Sequence, residues 1–273
     1  SFGSIGRKKK PEYCIQLFSK GTCDMITDRE RLKEQLAEET ERCSAEELLK
    51  LIVERFGDRV ALATSFGAED QVLTDMLCRM SDRPSIFTLD TGRLPEQTYE
   101  VIQATREKYR IQIDILFPDW KKVEEMVNRF GPNLFYASIE ARKLCCRVRK
   151  IEPLKRKLSG LQAWICGLRA EQSVTRSDLQ RIEFDENFGL IKVSPLVDWT
   201  TEQVWGYIHE NKVPYNKLHD KGYSSIGCAP CTRPIRNGED IRAGRWWWEK
   251  PEHKECGLHL GKAGNKGKEE APD

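Results

Sequence analysis

The sequence predicts an α/β fold: a mostly parallel sheet with helices on both faces. Three observations carry that reading. Short apolar runs alternate with helix-length amphipathic stretches, a strand–loop–helix unit repeated four times, which requires crossover connections between parallel strands. The loops leaving the first two runs are polar and rich in small residues, as expected where ligands sit beyond the carboxyl ends of such strands. A chain of 273 residues can also bury the core that a covered sheet needs.

The elements follow in order. Residues 28–56 have a helical pattern, and within them Ser44 and Glu47 form a capping-box signature ahead of an amphipathic stretch. VALATS (60–65) is a strand, followed by FGAED and a helix over QVLTDMLCRM. SIFTL (85–89) is a second strand, followed by DTGRL and a helix from about Pro95 to Tyr109. IQIDILF (111–117) is a third, with a helix over 120–130. A basic helix around 147–158 precedes strands at 163–167, 181–184 and 190–193, and a helix spans 200–211. The domain expected is 28–248, with residues 1–27 a poorly ordered extension. Residues 249–273, ending GKAGNKGKEEAPD, have too little apolar content to pack and form a flexible tail.

Composition narrows the function. The 45 basic and 43 acidic residues nearly cancel, to a net charge of +2, which argues against nucleic-acid or membrane-surface binding. No apolar run reaches the roughly 18 residues of a transmembrane helix. The N-terminal SFGSIGRKKKPEY lacks the apolar stretch of a secretory signal. Ten cysteines without the spacing of a secreted disulfide framework fit a reducing cytoplasm.

Two loops are candidate ligand sites. TSFGAED supplies Thr64, Ser65, Phe66, Gly67, Glu69 and Asp70 where small residues enter a helix N-terminus, a place that favours an anion. LDTGRL supplies Leu89, Asp90, Thr91, Gly92 and Arg93. Either loop alone is more readily a helix cap; both together, at consecutive strand ends, point to a nucleotide. CGLRAEQS adds Gly167, Arg169, Gln172 and Ser173, and RAGRWWWE adds Arg242 and Arg245, whose guanidinium groups suit phosphate or sulfate. The rings of Trp246–Trp248 read as a core or interface patch.

The cysteines ask for a separate account. Cys145 and Cys146 are adjacent, an arrangement that strains a disulfide, and they sit among basic residues including Lys150. Cys228 and Cys231 form a C-x-x-C that alone fits zinc, a redox pair or half an iron–sulfur site. Taken as a set of four, adjacent thiolates converge poorly on one zinc ion, whereas the ligands of a wider [4Fe–4S] cluster approach different irons. The cluster is the favoured reading and zinc the alternative. Lys150 and its neighbours would offset the negative charge of such a centre. Cys256, in HKECGLH beside His253, Lys254 and His259, has the exposed cationic setting of a nucleophile. A surface thiol without a role is the plainer alternative for an isolated cysteine. Cys14, Cys23, Cys43, Cys78 and Cys166 read as small or incidental, and His209 and His219 as structural.

The set SFGAED, LDTGRLPEQTY, CCRVRKIEPLKRKL, SIGCAPCTRP, GRWWWE and KECGLH resembles the assimilatory adenosine 5′-phosphosulfate (adenylylsulfate) reductases over about residues 45–261. The resemblance implies an adenine nucleotide alpha hydrolase-like fold and a [4Fe–4S] cluster on the four cysteines. It implies a substrate held by Lys150, Arg242 and Arg245, and reduction to sulfite and AMP through an S-sulfocysteine on Cys256. Thioredoxin, or a glutaredoxin-like protein, is the implied electron donor, and a homo-oligomer the implied assembly. Phosphoadenylylsulfate reductases share the fold and ECGLH but lack the other four cysteines. That difference favours adenylylsulfate over phosphoadenylylsulfate; an ATP pyrophosphatase or a zinc-stabilised nucleotide-binding protein are more distant alternatives.

Overall fold

The computed structural model describes residues 30–172 and 179–250; the expected extension at 1–27 lies outside them. Six strands, β1 (Val60–Thr64), β2 (Ile86–Leu89), β3 (Asp114–Leu116), β4 (Ala163–Ile165), β5 (Ile182–Asp185) and β6 (Leu190–Val193), form one sheet in the order β3-β2-β1-β4-β6-β5. Every pairing is parallel except β5 with β6. The chain builds outward from β1 through β2 to β3, then returns to lay β4 on the other flank of β1. That reversal opens a crevice between the carboxyl ends of β1 and β4, the place where open α/β sheets bind ligands.

Alternation along the strands assigns the two faces. Val60 and Leu62 of β1, Ile86 of β2, Ala163 and Ile165 of β4, and Ile191 and Val193 of β6 pack into one large core. That core takes in α2 (Ala45–Phe56), α3 (Ala68–Met80), α4 (Glu96–Tyr109) and α8 (Thr201–Glu210). The intervening Ala61, Phe87 and Trp164 face a second cluster with Leu154 and Leu158 of α7 (Glu152–Leu158). A strand covered on both faces must be apolar at both parities, as these are.

A helix over 30–39, α1, ends in a turn before α2, so the helical region read at 28–56 is two helices, the second opening at the capping box read from the sequence. The break falls where the Ser44–Glu47 capping box starts a new one: Ser44 N–H donates to Glu47 at 2.7 Å and Glu47 N–H to Ser44 Oγ at 3.2 Å. α5 (Trp120–Phe130) begins at the Asp119 cap. Pairing in β3 covers only three of the seven apolar-patterned residues, although Ile111 and Ile113 are buried. The basic helix begins earlier than its charge pattern suggests. α6 (Ile139–Cys146), capped by Ser138, runs through a π-helical turn (Arg147–Ile151) into α7. Such wide turns recur at functional sites.

Candidate functional site

The first loop is shaped by its backbone. Phe66 adopts φ +59° with its ring sunk in the core, which turns the chain sharply from β1 into α3, whose N-cap is Gly67. Asp70, in the first turn of α3, accepts hydrogen bonds from Ser65 N–H (2.6 Å), the Ser65 hydroxyl (2.7 Å) and Gly167 N–H (3.2 Å). The carboxylate therefore braces the end of β1 against the end of β4. Burial raises Asp70 to about 6 despite those three donors. Gly167 has no room for a side chain: a Cβ there would stand 2.3 Å from Asp70 Oδ1.

In the second loop, Asp90 accepts from Gly92 N–H (2.7 Å) and from the Tyr99 hydroxyl (3.0 Å). Burial and that carboxylate hold Tyr99 up at about 12. The Thr91 carbonyl receives Arg149 at 2.7 Å, and its hydroxyl lies 3.2 Å from Cys228 Sγ.

Between these loops opens a cavity of about 220 Å³. Of the residues singled out from the sequence, its wall contains Thr64, Ser65, Gly67, Glu69, Asp70, Leu89, Thr91, Lys150, Gly167, Gln172, Arg242 and Arg245. Phe66 belongs to the core instead, and Asp90 and Gly92 shape the loop from behind. Arg93 turns away, donating to the Pro132 carbonyl and to Asn133 (3.1 Å) and lying over the Phe135 ring. Arg169 is 3% exposed and its donors meet Glu69 (2.9 Å), Glu171 (2.6 Å), the Trp199 carbonyl (3.1 Å) and Thr201 (3.2 Å). It positions Glu69 rather than presenting charge to the cavity. Ser173 and Cys256 lie outside the described residues.

Several wall residues were not singled out. Ala63, Phe87, Leu154, Trp164, Cys166 and Leu168 make an apolar flank, suited to a planar base. Cys166 and His219, expected to be incidental and structural, both border the cavity, as do Ser224, Ser225 and Gly227. The available signal was SSIG, a small-residue loop immediately before Cys228. Gly227 lets Arg245 approach its backbone, for a Cβ would stand 2.4 Å from the guanidinium.

A second, smaller cavity adjoins the first. It is bordered by Cys145, Cys146, Cys228 and Cys231, all buried, with Arg93, Arg142, Arg149 and Lys150 around them. α6 delivers the adjacent pair in its last turn, and a 3-10 turn (Ala229–Cys231) delivers the other. None of the four is joined in a disulfide to another described residue; burial raises Cys145 and pushes Cys231 up to about 12. No group of three or more His, Cys, Asp or Glu among the described residues is arranged to hold a metal ion. Three buried N–H groups nearby, Trp246 Nε1, Arg149 Nε and Arg245 Nε, have no hydrogen-bond partner among the described residues. Four soft thiol donors ringed by cations and by unmatched N–H donors fit an electron-rich iron–sulfur group. Lys150 and Trp246 border both cavities. The Arg142 and Arg245 guanidinium groups both lie over the Trp246 ring, 4.7 and 4.6 Å from its centroid.

Comparison with known proteins agrees with this layout. Residues 59–234 match the family described as phosphoadenosine phosphosulfate reductase domain. An adenosine 5′-phosphosulfate reductase from Allochromatium vinosum is 53% identical over 81% of this chain and 86% of its own length. Another from Burkholderia cepacia is 48% identical over 84% and 90%. Among solved structures, a phosphoadenylyl-sulfate (PAPS) reductase from Candida auris, in a phosphate complex, superposes with a TM-score of 0.64 at 30% identity, covering 74% of this chain and 96% of that one.

Proposed function

The chain belongs to the phosphoadenosine phosphosulfate reductase family, alongside its adenosine 5′-phosphosulfate reductases, and from that premise we propose that it reduces adenosine 5′-phosphosulfate to sulfite and AMP. The observation that carries this reading is the wall shared by the two cavities. Lys150 belongs to both, and Arg242 and Arg245 join it on the nucleotide side, so three cations flank the place where a phosphosulfate would end. Adenine occupies the apolar flank of Trp164 and Leu168, and the ribose lies between base and cations.

Cys256 is the nucleophile. Its thiolate attacks the sulfate sulfur; the bond from sulfur to the bridging oxygen breaks, and AMP leaves with the electron pair. The cations offset the charge of the two approaching anions. A thiolate of reduced thioredoxin, or of a glutaredoxin-like protein, then attacks Cys256 Sγ and expels sulfite with the pair. Thioredoxin's second thiol resolves the mixed disulfide, leaving Cys256 a thiolate and thioredoxin oxidised. Glu249 is anchored to Arg142 seven residues before Cys256, a tether of at most about 25 Å fully extended.

Cys145, Cys146, Cys228 and Cys231 would hold a [4Fe–4S] cluster, which when bound supplies a fixed charge beside the anion pocket. The same reading makes the protein a cytoplasmic homo-oligomer that binds neither nucleic acid nor membrane; no helix of the described residues is long and apolar enough to cross one.

One experiment tests the chemistry. Incubation with substrate carrying radioactive sulfur, without reductant, leaves label on Cys256 that reduced thioredoxin releases as sulfite. Label on any other residue, or none, overturns the mechanism.

A further inference from the structure

His219 sits in a short 3-10 turn (His219–Lys221) at the cavity wall. Its Nδ1 lies 2.7 Å from the Tyr223 carbonyl oxygen. A carbonyl only accepts, so Nδ1 carries the proton, and the neutral ring then presents Nε2 as a bare acceptor. Burial lowers the pKa of the ring, which favours that neutral form. Trp205 meets the imidazole edge-on at 5.2 Å and, with the Tyr223 carbonyl, fixes its orientation. Nε2 itself is buried and has no partner among the described residues. A buried polar atom left unsatisfied is costly, and a bound ligand is one way it is satisfied.

The surroundings define the partner. Glu69 lines the same cavity close enough for its charge to act on His219, so this part of the wall offers acceptors and negative charge. The cationic wall of Lys150, Arg242 and Arg245 belongs with the anionic end of the ligand and the apolar flank with its base. What remains is the sugar. We propose that His219 is a specificity-determining residue whose Nε2 accepts a hydrogen bond from a ribose hydroxyl of the nucleotide. The inference rests on the nucleotide reading above and goes further, because it gives the site a reason to prefer a free hydroxyl. A phosphate in its place would bring acceptors and negative charge against an acceptor and a carboxylate.

Calorimetric titration of the full-length protein with AMP, 2′-deoxy-AMP, 3′-deoxy-AMP and adenosine 3′,5′-bisphosphate tests this. The wild type should bind AMP about tenfold more tightly than one of the deoxy analogues, and more tightly than the bisphosphate. His219→Leu should lose about that factor for AMP, bind the deoxy analogue unchanged, and narrow the gap to the bisphosphate. His219→Gln, whose amide oxygen still accepts, should recover part of the discrimination. A wild type indifferent to both hydroxyls, or variants weakened equally for AMP and its deoxy analogues, overturns the assignment and makes His219 a packing residue. Failure of the wild type to bind AMP at all overturns the nucleotide reading itself, so the two failures are distinct.

Discussion

Arg142 and Glu249 form a two-point ion pair, Nε to Oε1 at 2.9 Å and Nη2 to Oε2 at 2.7 Å, with side chains only 1% and 3% exposed. It links the helix carrying Cys145 and Cys146 to the last part of the described fold. Removing one partner of a sealed pair leaves the other charge buried without its closest counter-charge. Glu249→Ala should therefore lower the unfolding free energy by about 3–5 kcal/mol. The double change Arg142→Met with Glu249→Leu should cost less than Glu249→Ala alone. Denaturant midpoints for the three chains check both statements.

Asp70 gives a pH signature. Its native pKa of about 6 lies above its ordinary 3.8, so between those values the folded state binds the extra proton. Its contribution is fully present below the unfolded value and is lost as pH rises through about 6, a fall of about 3 kcal/mol for a shift of some two pH units. Asp70→Asn lacks this dependence. The deficit of the variant relative to wild type should be larger at about pH 4 than at about pH 7, with shared titrations cancelling. Unfolding curves at the two pH values measure the difference; a constant deficit contradicts it.

Two glycines should respond differently to the same added methyl group. At Gly167 it would meet the Asp70 carboxylate and, at 2.9 Å, the Asp70 backbone nitrogen, neither of which can retreat. Gly167→Ala should lose both stability and AMP binding. At Gly227 it would meet only the far end of Arg245, which can swing aside. Gly227→Ala should keep its melting temperature within a few degrees while weakening AMP binding about as much as Arg245→Ala does.

Substitution of the cysteines separates the proposed cluster ligands from the rest. Cys231→Ser should abolish visible absorbance and iron in the purified protein. Cys78→Ser should leave both unchanged, since Cys78 is half-buried beside Asp75 and burial raises it to about 12. Iron analysis and a visible spectrum of each variant are sufficient. Equal iron in Cys231→Ser and wild type rules out the assignment.

Much of this was legible in the chain because the informative residues are local. The short apolar runs VALATS and SIFTL fix the strands, and the capping box at Ser44 fixes a helix start to the residue. Loop residues such as Thr64, Ser65 and Thr91 fall at the cavity because a parallel sheet leaves few other places for them. What the chain does not disclose involves long-range partners. Nothing near Arg169 reveals that Glu69, a hundred residues earlier, occupies its guanidinium. Nothing near His219 reveals that it borders a nucleotide-sized space. The π-helical turn after Cys146 was hidden too, since a hydrophobic repeat does not distinguish one extra residue in a turn.

The order of the strands bears on self-association. The two outermost, β3 and β5, are three and four residues long. Asp114 of β3 is bound to Lys157 at 2.6 Å, and Glu183 of β5 to Lys192 at 3.0 Å. Short, charged borders make poor templates for a neighbouring backbone, so molecules that meet rim to rim find no ladder to extend. Polymerisation into fibrils through these rims is disfavoured, and any assembly between copies is left to contacts made by side chains on helices and loops.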